Sequence, residues 1–554
     1  MNLLKDCISY ANDKSNRMFR FVATTTALYA ALVISFSYIY EIVNSNHLVF
    51  SLLAAIVMFI PLYFFIIYAG RNFASSTGIK VYKEKAQFCW KKYTLTFFLI
   101  FIPMLIGYLY WYPGIHNLDT LGQWMQVTSN TFNDWHPAFH TLTIWFISRV
   151  CESYSFVVLV QNILFCFALS YLFSTLDRWG LSIKALAVIF GIIVLTPETQ
   201  TIMQILLKDC MFTVAVIILT AMLIDMYFDD CSLKLAQIVT FSVISGAATM
   251  LRHNAFFYTV PLVLFLTTKY WKRQYVKYMI VIFVLTVVVI RWPVYSFFRV
   301  TYPNNIVSES VGWPMTILGD IYVKNPSGLD DEAKNFLLTF SDDKAWKEKY
   351  RLGDFDSIKW ETESDQEFLS NNSVNKYLSM TLRAVINNPL IAFGAVRQLT
   401  SVVWNMNDEF NLFMYLDREF YIEIEEYKSL LSTQNTPVPD FIERYIRAPL
   451  FLPLVFFPQS IILNTGTRLL LLLLCYAITF TKNRVRSHFL VLPILLYCLL
   501  TSPLLASPGE QRIFHFILVV TFPICMVLFT ENKINNCNGD NVTDDCSMPN
   551  GGSA

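Results

Sequence analysis

The sequence predicts an all-α polytopic membrane protein, and three observations carry that expectation. Of its 554 residues, 55% are hydrophobic and only 15% are charged, against about a quarter charged in soluble domains. Mean hydropathy is +0.46, and apolar runs near the ~20 residues that a bilayer crossing needs recur along most of the chain. Lys and Arg gather in alternate loops, the pattern by which membrane proteins mark their cytoplasmic side. The formal net charge of +1 gives no reason to expect a nucleic-acid partner.

The elements follow in order. The apolar runs predict about twelve spans, near 21–40, 48–69, 93–112, 154–176, 183–197, 209–228, 235–251, 255–269, 276–292, 461–481, 488–506 and 512–530. No cleavable signal peptide is expected, since the first twenty residues are polar and carry Lys5, Lys14, Arg17 and Arg20. Residues 1–92 read as a cytoplasmic N-terminus with two leading spans, and 93–292 as a transmembrane module with an outer loop at 113–153. Residues 293–460 read as an external domain, 461–530 as the closing spans and 531–554 as a polar cytoplasmic tail. Basic residues crowd 71–92, 269–277 and 482–486, whereas 113–148 holds no Lys or Arg. Placing the basic loops inside puts both termini in the cytoplasm and 113–153, 198–208, 293–460 and 507–511 outside.

The polar segment 293–445 carries 23 Asp or Glu against 14 Lys or Arg. Stretches such as LDDEAKNFLLTF have helical periodicity, so a small, mostly helical external domain is expected. Its DFD at 354–356 reads as a solvated turn. The eleven cysteines are scattered, with none between 293 and 445 and no CxxC spacing, which predicts no disulfide framework.

The outer loop holds the chemistry-bearing residues. In LDTLGQWMQ (118–126), Leu118, Leu121, Trp124 and Met125 fall at helical spacing, with Asp119, Gln123 and Gln126 along another face. That pattern predicts an interfacial helix with Trp and Leu toward lipid and Asp119 toward water or a cleft. A second such helix is expected from Pro137, a residue preorganised for a first helical position. Of seven histidines, His116, His136 and His140 share this loop, and His253 lies near another outer end. Lys208 with Asp209, Arg252, and Glu510 with Arg512 lie at further outer ends, where ionisable groups beside spans mark functional sites. Alternatives stand beside this reading: Asp119 as a helix cap, the cations as interface anchors, and His136, His140 and Asp119 as a divalent-metal site.

An external loop with an Asp near the start of one interfacial helix and a WHP box opening a second resembles the GT-C superfamily of polytopic glycosyltransferases. The following order also fits: a return span, the DRWGLSIK turn, a span ending LTPE, and an outer acid in LLKDCMF. Within the superfamily the chain looks like bacterial enzymes that decorate surface polysaccharide, such as O-antigen glucosyltransferases. The likeness covers 93–292 well and the last three spans more loosely.

The resemblance implies a GT-C-like bundle and a hexosyltransferase with no cofactor. It implies a sugar donor on a polyprenyl phosphate, glucose foremost, with transfer to a surface glycan at the outer face of the cytoplasmic (inner) membrane. Asp119 matches the family's external Asp and is the candidate general base. Asp209 matches its second outer acid. Lys208, Arg252 and Arg512 are candidate donor-phosphate binders, with both arginines ranked above Lys208, to which neighbouring Asp209 offers an ion partner. His116, His136, His140, His253, Glu510 and Gln123 are candidates for positioning donor or acceptor. The rival functions are a flippase for a lipid-linked glycan and a protein O-glycosyltransferase.

Overall fold

A bilayer offers no partner for an unpaired backbone N–H or C=O, so apolar sequence that enters it coils into helices. The computed structural model describes residues 16–39, 48–75, 79–80, 86–228, 234–272, 275–303, 311–359, 368–369, 371–407, 464–483, 488–505 and 507–531, with isolated positions before residue 16. The first part of the chain forms α1 (Arg17–Ile34), α2 (Leu48–Ser75), α3 (Trp90–Tyr110), α4 (Leu118–Ser129), α5 (Ala138–Ser148) and α6 (Tyr154–Arg178). There follow α7 (Ile183–Val194), α8 (Pro197–Ile202), α9 (Lys208–Phe228), α10 (Leu235–Leu251), α11 (Phe256–Lys269) and α12 (Tyr278–Val289). The polar segment that follows forms α13 (Gly312–Lys324), α14 (Asp331–Phe340), α15 (Asp343–Glu348), α16 (Val374–Asn387) and α17 (Pro389–Leu399). Closing the chain are α18 (Thr465–Asn483), α19 (His488–Thr501) and α20 (His515–Phe529).

Among the described residues, seven helices are long and apolar enough to cross a bilayer: α1 continued to Tyr38, α2, α3, α6, α9, α12 continued to Phe297, and α20 with its preceding turn. The chain is an all-α membrane protein. Over their described residues the other five expected spans are helical, and four of them (α7, α10, α11 and α19) have 17 residues or fewer. At twelve residues, α7 rises roughly 18 Å and stops before Pro197 opens α8. The extended backbone of Arg252 ends α10.

Burial sorts centre from rim. In α9, 89% of the apolar window is buried inside the protein, against 22% in α2 and α3 and 17% in the helix from Tyr278. A helix apolar all round belongs in a core, and α9 packs against α6, α10 and α20. The rim helices turn apolar faces outward, as lipid contact requires.

Contacts between loops sort the two ends of the bundle. At one end Ala86 N–H donates to the Arg178 carbonyl at 3.1 Å, Lys92 pairs with Asp177 at 3.0 Å, and β1 (Ile79–Lys80) lies parallel to β2 (Thr530–Glu531). At the other end Ile115 bridges Ile205, and Asn133 bridges Thr301. These are the groupings that the Lys and Arg distribution assigned to common sides. Lys83, Arg273, residues 408–463 and the tail from 532 lie outside the described residues.

Residues 311–399 are helical where described, as expected, with their own core around Leu318, Phe336, Trp346, Tyr377 and Met380. The solvated turn expected at 354–356 is not found. Asp354 is buried, pairs with Arg351 at 3.2 Å, and accepts a hydrogen bond from Ser507. Phe355 draws the turn into that core, and Ser507 holds Asp354 from the segment before α20.

Candidate functional site

The site is assembled by a loop held against α6. Gly114 takes φ +117°, and a Cβ there would lie 2.9 Å from the Tyr154 ring, so only glycine admits this close turn. It delivers Ile115, whose N–H donates to the Gln204 carbonyl at 2.9 Å and whose carbonyl accepts from Tyr154 Oη at 2.8 Å. His116 lies against the Tyr154 ring, with centroids 4.1 Å apart. Asn117 then caps α4: its side chain accepts from Thr120 N–H at 2.9 Å, and Thr120 Oγ1 accepts from Asn117 N–H at 2.9 Å. Asp119 is therefore not the cap. Its carboxylate, in the first turn, is left for other partners.

Those partners arrive from two distant segments. Asp119 Oδ2 accepts from Lys208 Nζ at 3.3 Å and from an Arg512 terminal nitrogen at 3.1 Å. His136 Nε2 stands 3.9 Å from Oδ1. Arg512 Nε also donates to Glu510 at 2.6 Å. Burial alone would push the Asp119 carboxyl up, but Lys208 and Arg512, with His136, outweigh it and hold Asp119 well below the usual carboxylate range. Burial and the neighbouring Lys208 ammonium bring His136 down to about 3, so its ring is neutral at pH 7. Lys208 Nζ can only donate, at 3.2 Å, to His136 Nδ1. The imidazole proton therefore sits on Nε2, toward Asp119.

A second, closed pair lies beside the first. Asp209 is in ion-pair contact with Arg252, and their side chains are 1% and 5% exposed. Arg252 Nε donates to Asn254 at 2.6 Å. The expected pairing of Lys208 with Asp209 is not found, because adjacent residues on a helix do not face each other. Exposure also separates the two arginines that the sequence ranks together, leaving Arg252 more closed than Lys208. Asp119, Lys208 and Arg512 keep 26%, 17% and 18% of their side chains exposed, so a ligand can reach Lys208 and Arg512 but not Arg252.

The remaining candidates form the underlay. Gln123 is buried and donates to His140 Nδ1 at 3.0 Å and to Thr141 at 2.9 Å. His140, buried beneath the site, is brought to about 3 by that burial and by Lys208. Its engagement with Gln123 separates it from His136, and no three His, Cys, Asp or Glu groups among the described residues gather as a metal ion requires. His253 Nε2 donates to the backbone carbonyls of Asp134 and Trp135 at 3.2 and 3.3 Å.

Two expectations about the loop helices are corrected. Leu121 and Trp124 do not face lipid: both are 1% exposed, and Trp124 packs with Tyr108, Val127 and Tyr154 inside the protein. Pro137 is the residue before α5, not its first, because Asp134 takes the capping role through its carboxylate, which accepts Ala138 N–H at 2.8 Å.

Asp134 is also the residue that sequence reasoning missed. It is in ion-pair contact with Arg291 and lies 3.4 Å from Tyr295 Oη, and its N–H donates to the Thr301 carbonyl at 2.9 Å. This clamp fixes the backbone two residues before His136. The signal was available in Arg291, a charge inside the apolar run VVVIRWPV; a π-helical turn at Ile290–Val294 carries it.

Over residues 37–542 the chain matches the profile described as "Family of unknown function (DUF6020)". That span is most of its length, and the chain belongs to that family. No curated protein matches it, and no solved structure does.

Proposed function

We propose that this member of the family of unknown function is a GT-C-type glycosyltransferase. It moves a hexosyl group, glucose foremost, from a polyprenyl phosphate to a surface glycan such as O-antigen. The observation that carries the reading is one carboxylate oxygen, Asp119 Oδ2, bracketed by Lys208 and Arg512 at a partly open helix start. In this reading the twelve apolar helices form the bundle, both termini are cytoplasmic, and the site opens on the outer face of the cytoplasmic membrane.

The chemistry follows from competition for the two cations. The acceptor hydroxyl oxygen bonds to the anomeric carbon while the bond from that carbon to the phosphate oxygen breaks, through an oxocarbenium-like state. Polyprenyl phosphate leaves with the electron pair, and the hydroxyl proton goes to a carboxylate. A carboxylate held by two cations is a weak base. When the donor phosphate enters, Lys208 and Arg512 turn to it, since both are phosphate partners. Asp119 then loses its stabilising charges, its proton affinity rises, and it becomes competent as the general base. The same cations stabilise charge gathering on the leaving phosphate. His136, with its proton on Nε2, orients Asp119. The buried Arg252–Asp209 pair fixes the start of α9 and so the position of Lys208.

The test is sugar transfer by the purified chain from a synthetic polyprenyl-phosphate glucose, reading glycosylated acceptor and released polyprenyl phosphate together. Equal yields of the two support the reading. Donor binding without any release, in protein that moves the intact donor across a vesicle membrane, would replace it with a flippase.

A further inference from the structure

Residues 311–399 keep one long apolar stripe outside their core. Along α16, Val374, Leu378, Leu382 and Ile386 recur at every fourth residue, and Leu390, Phe393 and Val396 continue the line on α17. All seven are exposed, Leu382 at 62% and both Ile386 and Leu390 at 70%. Tyr377, Met380 and Ala384, on another face of α16, fill the core instead. Contiguous exposed apolar surface of this kind marks an interaction site.

Composition and placement point to what covers it. From Ser373 to Asn407 the chain holds three cations, Lys376, Arg383 and Arg397, and no Asp or Glu, within a polar segment that is otherwise acid-rich. An amphipathic helix without acids suits a bilayer surface. The stripe also reaches the membrane boundary. The Phe393 ring centroid lies 6.2 Å from that of Phe36, at the end of the α1 span, and Met406 N–H donates to Ser37 Oγ at 2.9 Å. Ser35 Oγ donates to the Ser51 carbonyl, which sets the first turn of α2 at the same level, and there Val49 and Leu53 are exposed on the lipid-facing rim. A second copy of the chain fits the stripe less well. Each four-residue step turns it by roughly 40°, so it spreads over a face broader than the narrow a/d seam of paired helices.

We propose that α16 and α17 lie on the bilayer surface at the Asp119 end of the bundle, with this stripe in the acyl region of that leaflet. The occupant is lipid as such. Arg383 is already paired with Asp330 and Glu332, so no particular headgroup is called for. The contact gives residues 311–399 a second hold beside the one that Ser507 makes with Asp354, and it does not depend on the transferase reading.

Photocrosslinking of the full chain in phosphatidylcholine vesicles tests it. p-Benzoylphenylalanine is placed at Leu382, at Ile386 or, as the control, at Asn387, which is exposed on the opposite flank of α16. After irradiation, intact masses are expected to show phospholipid adducts at Leu382 and Ile386 several-fold above those at Asn387. Melting temperatures within the parent's range keep the comparison to folded protein, and either stripe position gives the readout if the other does not fold. Adducts to a second copy would assign the stripe to a protein interface, and adducts to the apolar residues 448–463 would make it a seat for that part of the chain. Either result overturns the proposal, as does lipid labelling no higher than at Asn387.

Discussion

Both ends of the bundle carry buried ion pairs, and they are built differently. At the basic end, Asp225 accepts from Trp179 Nε1 at 2.7 Å and from Arg178 at 3.2 Å. These two donors come from the end of one helix, α6, and the Arg178 and Asp225 side chains are 13% and 8% exposed. At the opposite end, Asp119 draws its donors from α9 and from the turn before α20, and all three side chains remain partly open. The first arrangement ties neighbouring helices together. The second holds two cations on one carboxylate where an incoming anion can displace it. Ion pairing alone therefore says little about function. What matters is how many segments supply the charges and whether solvent reaches them.

The sharpest way to break this contrast is to neutralise each acid. Asp119→Asn is expected to lower transfer by about 10²–10⁴, the usual weight of a general base, while melting stays near the parent's. Asp225→Asn should do the reverse, with stability falling by roughly 3 kcal/mol for a broken buried pair and turnover per folded molecule kept. Thermal melting measured beside a transfer assay reads both. If Asp119→Asn melts early and Asp225→Asn loses turnover, the roles of the two ends are exchanged.

Next in size is Arg512. Losing a charge-assisted hydrogen bond to phosphate costs about 1.5–3 kcal/mol, so Arg512→Ala should weaken donor binding by roughly ten- to a hundredfold. Arg512→Lys should recover only part of that. Arg252→Ala, by contrast, should act through stability, since its guanidinium is closed off by Asp209. Equilibrium donor binding to both variants separates the two arginines.

A smaller effect is expected from Lys208→Gln on the pH profile. The lysine holds the Asp119 carboxyl down, so its removal raises the carboxyl's pKa. The acid limb of kcat/KM, where the base becomes protonated, should then move to higher pH. An unmoved limb would separate Lys208 from the base.

The smallest effect concerns the neutral imidazoles. His136 and His140 are both brought from 6.5 to about 3. Between these values the unfolded chain binds protons that the folded chain refuses, so stability is full above about 6.5 and falls as pH drops toward 3. Melting temperature should decline from pH 7 to pH 5, and more shallowly in His136→Gln.

Much of the site was legible in the sequence. Charges are conspicuous in an apolar chain, and Asp119, Lys208, Arg252 and Arg512 stood out for that reason. Their pairing was not legible. Lys208 and Asp209 are neighbours in the chain, yet their side chains diverge around the helix and find Asp119 and Arg252 instead. The stripe through Leu121 and Trp124 was seen, but lipid and protein interior are equally apolar, so the pattern could not say which one it faced. The clamp of Asp134 on Arg291 joins residues far apart in sequence, and no local periodicity reports such a contact. Among the described residues the long apolar helices were readable, while the short α8 lay in what reads as the loop 198–208. The early end of α7 was not readable, since the helix stops where Pro197 opens α8 rather than where hydropathy changes, whereas α10 spans the 235–251 that its apolar run predicts.

In the proposed transferase Asp119 occupies the place of a phosphate until donor arrives, and the most direct test is donor affinity in Asp119→Asn. If carboxylate and phosphate compete for Lys208 and Arg512, the variant should bind polyprenyl-phosphate glucose about tenfold more tightly, equivalent to roughly 1.4 kcal/mol, while transferring almost none of it. Affinity that weakens, in protein that still transfers sugar, would contradict the claim and leave Asp119 as a first-turn acid that steadies α4.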